Sequence, residues 1–136
     1  MIKKFLIFFI ILCTIIPCYA WIKKPKPSLM LSDSFQGLQN SDGKVFFKVN
    51  SRIYFSVSNP AGFKSDYIKY QVVKQEDNAH VGGYTRVRNV TCRVRNKNNY
   101  TDYFVLSEKG KYFIQVFDIT NLQQWIVIGG FQVIDE

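Results

Sequence analysis

The chain has 136 residues, of which 47% are apolar, so it can fill the hydrophobic core of one domain of ordinary size. Its 18 Lys and Arg against 10 Asp and Glu give a formal net charge of +8. The chain has one histidine and three cysteines, and it contains no nucleophile, zinc-ligand or phosphate-loop motif. We therefore expect no catalytic activity, no metal site and no cofactor.

The first twenty residues have the pattern of a secretory signal peptide. Lys3 and Lys4 precede an apolar run over residues 5–17, and Cys18-Tyr19-Ala20 puts small residues at the −3 and −1 positions of a cleavage site. The run is shorter than the roughly 20 residues that a helix needs to span a bilayer. Two alternatives are an uncleaved anchor and a lipoprotein modified at Cys18. We expect a secreted, periplasmic or cell-surface chain without a transmembrane segment after cleavage.

The segment that follows, residues 21–40, is predicted to be an extended lead-in or tether. Pro25 and Pro27 stand one residue apart, which disfavours helix and favours extended backbone. Ser41-Asp42-Gly43 predicts a turn, and the folded domain is placed at residues 41–136. After signal removal Cys92 is the only cysteine left, so no internal disulfide can hold this domain.

From Lys44 onward the sequence alternates between apolar and polar residues, the pattern of half-buried strands. In residues 84–95 the parity of the apolar positions switches, which predicts a turn or a bulge near Asn89. The pattern predicts about seven to nine short strands at spacings of roughly 8–12 residues, which is typical of an all-β, antiparallel sandwich. The residues predicted to face inward include Ile53, Phe55, Val57, Ile68, Tyr70, Val72, Cys92, Tyr112, Ile114 and Val116.

One stretch, Glu108–Ile114, resembles the tyrosine corner of immunoglobulin-like β-sandwiches. In that motif a Tyr near the start of strand F, here Tyr112, bonds through its hydroxyl to upstream backbone. Ile114 stands where the second cysteine would be, so the resemblance implies a sandwich without the inter-sheet disulfide. It implies strand F at Tyr112, strand G at residues 125–134 and strand C around Ile68, in an immunoglobulin-like or fibronectin type III-like domain. Such folds host many functions, so the resemblance predicts architecture only.

The same resemblance implies that strands C, F and G are neighbours. Because side chains alternate along a strand, four aromatic residues should then gather on one outer sheet face. They are Tyr67, Phe113, Phe117 and Trp125. Exposed patches of this kind mark interfaces. We expect a non-catalytic binding or structural module of the cell envelope or extracellular space, which contacts a protein partner or a second copy of the chain through this face. The alternative is that residues 21–40 fold over it.

A second candidate surface is basic and has no acidic residue within it. A binder of an anionic glycan, a lipid head group or another polyanion is the alternative function, and export argues against nucleic acid as the partner. A structural explanation is that these charges protect an exposed edge strand from aggregation. The residues concerned are Arg86, Arg88, Arg93, Arg95 and Lys97.

Overall fold

The computed structural model describes residues 23, 25–76 and 83–135. The predicted signal peptide and the loop that contains His80 lie outside these residues. The elements in chain order are β1 (Ser28–Ser32), α1 (Phe35–Gln39), β2 (Phe46–Lys48), β3 (Arg52–Ser58), β4 (Tyr67–Gln75), β5 (Tyr84–Arg93), β6 (Asn99–Val105), β7 (Gly110–Asp118) and β8 (Asn121–Ile134).

Two sheets form a sandwich, which confirms the predicted all-β class and strand number. One sheet has three strands in the order β1-β3-β6, and the other has five in the order β2-β8-β7-β4-β5. Every pairing is antiparallel except that of β2 with β8, which is parallel. The strands predicted as C, F and G are β4, β7 and β8, and they are neighbours as expected.

The core lies between the inner faces of the two sheets. The predicted alternation of β3, β4 and β7 is confirmed, since Ile53, Tyr70 and Ile114 are fully buried there. Aromatic rings connect the layers: Phe55 of the smaller sheet contacts Tyr70 of the larger one, with ring centroids 4.8 Å apart. Burial of large apolar and aromatic side chains supplies the main stabilisation in a domain without a disulfide.

The predicted lead-in is wrong over residues 28–39, which are part of the sandwich. Strand β1 pairs with β3, and Leu31 joins the core. Helix α1 follows at once, and the side chain of Ser34 caps it by accepting a hydrogen bond from the Gly37 N–H. Two prolines disfavour helix where they stand, but they do not prevent the residues that follow from joining an edge of the sheet.

The tyrosine corner is present in the geometry. The Tyr112 hydroxyl donates to the backbone carbonyl of Glu108 over 2.7 Å, and the Tyr112 ring stacks on Phe131 with centroids 5.6 Å apart. The ammonium of Lys74 lies 2.7 Å from the Glu108 carboxylate and lowers the pKa of that carboxyl. The corner therefore fixes the turn before β7 by a hydrogen bond, a ring stack and an ion pair.

We expect Tyr112→Phe to lower the free energy of unfolding by about 1 kcal/mol or more, because the Glu108 carbonyl loses its donor while the ring stays in place. Urea unfolding measures the change. Tyr103→Phe is the control, since Tyr103 is exposed and its hydroxyl donates no hydrogen bond to another described residue. Equal stability of Tyr112→Phe and the parent chain would show that the hydroxyl contributes nothing.

Candidate protein-contact face

The outer face of the five-stranded sheet is built by the strand register. Phe113 of β7 stands between Val73 of β4 and Gly130 of β8. Two positions along the strand, Gln115 pairs with Gln71 through a side-chain hydrogen bond of 2.6 Å. Because directly paired residues in a sheet point to the same side, these rows form one continuous surface.

A concavity of about 460 Å³ lies on this surface. Gly130 leaves space beside the Phe113 ring, because a Cβ at position 130 would come within 3.2 Å of that ring. The Phe113 ring meets Tyr84 of β5 edge-on, with centroids 5.9 Å apart. Besides Phe113 and Tyr84, the concavity is lined by Gln71, Val73, Arg86, Gln115, Trp125 and Ile128. The result is a hollow with aromatic and aliphatic walls around a pair of glutamines.

The four residues predicted for protein contact have different environments. Tyr67 and Trp125 are 45% and 49% exposed, and Phe113 is half-buried. Phe117 has the expected outward parity, since it pairs with Lys69 and Trp125, but it is only 8% exposed. Phe117 therefore supports the face from below rather than presenting its ring to a partner.

The reason for the burial of Phe117 is an irregularity of β8. Asp118 pairs with Asn121 and Phe117 pairs with Trp125, so residues 122–124 have no partner in the ladder. Leu122 from this segment borders the same depression as Phe117. A bulge of this kind bends the strand and brings extra residues over the sheet.

Sequence analysis missed three residues of the concavity, namely Val73, Tyr84 and Ile128. Strict alternation would put Ile128 on the inner side together with Ile126, but Ile126 is the extra residue of a second bulge, and Ile128 pairs with the outward Gln115. Val73 keeps the regular outward parity of β4, and the irregularity opposite it is the extra residue Val87 of β5. The Gly129-Gly130 pair was the one signal in the sequence that the last strand is not regular.

The basic cluster does not form one patch. Of the turn or bulge predicted near Asn89, the structure shows a bulge and no turn: β5 is continuous, and Val87 is the extra residue between Arg86 and Arg88. Arg86 and Arg93 share the outward side, whereas Arg88 points to the inner side and donates from Nε to the Tyr70 hydroxyl over 3.0 Å. Arg95 lies 3.7 Å from the Asp66 carboxylate. Lys97 is exposed in the loop that follows.

The outer face as a whole carries positive charge. On the outward positions of the larger sheet, whose five strands are described in full, there is no Asp or Glu. Basic side chains surround the aromatic hollow at Lys69, Arg86, Arg93 and Lys111. The hollow therefore has apolar walls, and the face around it carries positive charge.

Within the described ranges, no three side chains of His, Cys, Asp or Glu lie close enough together to hold a metal ion. Cys92 is buried on β5, and burial raises the pKa of its thiol. The only helix of the described residues, α1, is too short to cross a membrane.

Comparison with known proteins identifies no family. No family model and no curated protein matches the chain. Solved structures that resemble it include a superoxide reductase (neelaredoxin) from Ignicoccus hospitalis, at 8% identity and a TM-score of 0.45 over 81% of each chain. The soluble domain of PmoD from Methylocystis sp. has 11% identity and a TM-score of 0.49, covering 79% of this chain and 90% of that one. The CARDB domain of PF1109 from Pyrococcus furiosus has 18% identity and a TM-score of 0.43, covering 85% and 98%.

One expectation from the sequence is corrected by these comparisons. The chain was expected to have no catalytic activity, yet a superoxide reductase is among the structures that resemble it. At these identities and TM-scores the resemblance assigns neither that reaction nor any other function to this chain.

Proposed function

We propose that the chain is an exported binding module that contacts a protein partner through the outer face of its five-stranded sheet. The observation that carries this proposal is the exposed aromatic hollow with a basic surround. The partner surface should be acidic and should carry an aromatic or aliphatic side chain that fills the hollow.

The energetics favour a specific contact. Tyr84, Trp125 and Ile128 are large and well exposed, and burying each would contribute roughly 1.5–3 kcal/mol. Aromatic residues are also over-represented among interface hot spots. Phe113 and Phe117 are held by the sheet beneath them, so the hollow is already formed and less ordering cost arises on binding.

The sequence left several candidates for what covers this face or binds the chain: a protein partner, a second copy of the chain, residues 21–40 or a polyanion. Charge and topology distinguish between them. In a symmetric dimer formed through this face, Arg86 and Lys69 of one copy would approach the same basic surface of the other, which is unfavourable. Of the predicted lead-in, residues 28–39 belong to the opposite sheet or pack against it, and Pro25 and Pro27 reach the face only at its end beside Trp125. The dispersed arginines give a polyanion no converging site. A separate, acidic protein is the partner that fits best.

Two further parts of the proposal are export and membership of a superfamily. Export follows from the signal-peptide pattern of residues 1–20, which is what would bring the chain to the cell envelope or outside the cell. Membership of the immunoglobulin-like or fibronectin type III-like superfamily is supported by the Tyr112 corner and by the neighbouring positions of β4, β7 and β8.

A photoreactive amino acid in place of Ile128 tests the partner directly, in the native compartment and with the full chain. The matched control puts the same amino acid at Val105, which is somewhat more exposed than Ile128 (47% against 38%) and lies on the outer face of the smaller sheet. We expect an adduct with one acidic protein from position 128 and none from position 105. Arg86→Glu should abolish the adduct, because it places a negative charge against an acidic partner, whereas Arg86→Lys should retain it.

Other results would contradict the proposal. Adducts of similar yield at both positions would show that the face has no special role. A cross-linked pair of identical chains would identify a homo-oligomer. An adduct that survives Arg86→Glu would show that charge does not select the partner.

A further inference from the structure

We infer that a second cavity, at one end of the sandwich, is a binding site for a neutral saccharide. The cavity has a volume of about 510 Å³. Three segments meet around it: the chain at Pro25 and Pro27, the turn at residues 59–64, and the hairpin between β7 and β8 at residues 118–126. This inference concerns the end of the sandwich, whereas the proposed function concerns the outer face of the sheet; Trp125 borders both cavities.

Asp118 is the first reason to expect a ligand. Asp118 lines the cavity, and the residue is only 7% exposed. Oδ1 accepts hydrogen bonds from the backbone N–H and the hydroxyl of Thr120, whereas Oδ2 has no donor among the described residues. A buried carboxylate oxygen without a donor is unfavourable. Oδ2 is closed to solvent in this structure, so a ligand hydroxyl reaches it when the Asp118 side chain turns toward the cavity.

The charges in the cavity wall favour neither sign of ligand. Lys64 borders the same cavity as Asp118, so an ion of either sign is attracted by one group and repelled by the other. A neutral hydroxyl-rich ligand suits both, since a hydroxyl can donate to the carboxylate and accept from the ammonium. The amides of Asn121 and Gln124 add further donors and acceptors.

The apolar part of the wall fits the other side of a sugar. Trp125 presents an aromatic ring, and Pro25 and Ile126 contribute aliphatic surface. The C–H face of a pyranose can pack on such surfaces while its hydroxyls reach the polar groups. The volume lies within the range of about 300–1,000 Å³ that is usual for small-ligand sites. The cavity therefore combines a flat apolar wall with a mixed-charge polar wall.

Titration of the isotope-labelled mature chain with neutral disaccharides, followed by NMR, tests the inference. Suitable probes are cellobiose, maltose and the disaccharide of N-acetylglucosamine. With at least one of them we expect saturable shifts of the Trp125 indole N–H and of amides in residues 59–64 and 118–126. Gln124→Ala and Lys64→Ala should each weaken binding by about tenfold, since each removes a hydrogen bond to the ligand.

The choice of variants keeps the result interpretable. Gln124 and Lys64 are exposed, so their replacement should leave the fold intact. Ile128→Ala is the control, because Ile128 lines the hollow on the outer face and not this cavity. Asp118→Asn should also weaken binding, and its stability must be measured because Asp118 also forms the hairpin turn.

Three outcomes would overturn the inference. They are the absence of saturable shifts with every probe, shifts that map elsewhere, and tighter binding of a charged probe such as arginine methyl ester or acetate. None of these alters cross-linking at position 128, so the two proposals fail separately.

Discussion

Phe117→Ala should lower the free energy of unfolding by about 3 kcal/mol, which is the usual size of the effect when a buried phenylalanine is truncated. The Phe117 ring is only 8% exposed although it lies on the outer face of the larger sheet. It is enclosed by its pairing partners Lys69 and Trp125 and by Leu122 from the irregular start of β8. Removing it leaves a cavity that these side chains can close only in part.

The comparison with Phe113 gives this prediction its control. Phe113 lies four residues earlier on the same strand with the same outward parity, but its ring is half-buried and open to the hollow. Phe113→Ala should cost less than half as much in urea unfolding, because less apolar surface returns to water. Equal costs for the two variants would mean that Phe117 is no more enclosed than Phe113, and the division into a supporting ring and a contacting ring would be wrong.

Local patterns predicted the strands that pair regularly. On β3 and β7 the alternation of apolar residues continues without interruption, and buried residues occupy the positions expected from it. Period-two alternation is a direct consequence of strand geometry, so it can be read wherever the geometry is regular. The tyrosine corner was predictable for a similar reason, since the turn and the ring are neighbours in sequence.

The predictions failed where a strand is irregular or where pairing is long-range. On β8 the extra residue Ile126 reverses the parity, so Ile128 faces outward and not inward. On β5 the bulge at Val87 has the same effect and separates Arg86 from Arg88. A bulge depends on the partner strand as much as on its own sequence. The pairing of β1 with β3 also joins residues about 25 positions apart, which no local pattern reveals.

The candidate site was therefore only partly predictable. The alternation and the implied strand order predicted which residues lie on the outer face of β4, β7 and β8. This prediction is confirmed for Phe113, Phe117 and Trp125. The sequence did not predict how deeply each ring is buried, because the burial of Phe117 depends on Leu122 and that of Phe113 on the space left by Gly130. The arginines were grouped by sequence proximity, whereas the sheet separates them by side.

Asp102→Ala should also lower the free energy of unfolding by about 3 kcal/mol, because Asp102 joins the two sheets at one edge of the sandwich. Its Oδ2 accepts hydrogen bonds from the hydroxyls of Tyr70 on β4, over 3.2 Å, and of Tyr100 on β6, over 3.0 Å. Arg88 of β5 donates to the same Tyr70 hydroxyl. The variant leaves two phenolic donors without their acceptor, and an unsatisfied buried polar group costs about 1–3 kcal/mol.

The hydroxyl of Tyr70 makes the effect testable as a coupling. The Tyr70 side chain is fully buried, and burial raises the pKa of its hydroxyl, so this group stays a neutral donor under ordinary conditions. Replacing the donors as well as the acceptor should recover part of the lost stability, because apolar groups then meet apolar groups. Asp102→Ala in a background with Tyr70→Phe and Tyr100→Phe should thus cost much less than in the parent chain. If Asp102→Ala costs the same in both backgrounds, the carboxylate contributes through something other than these hydroxyls, and the connection between the sheets lies elsewhere.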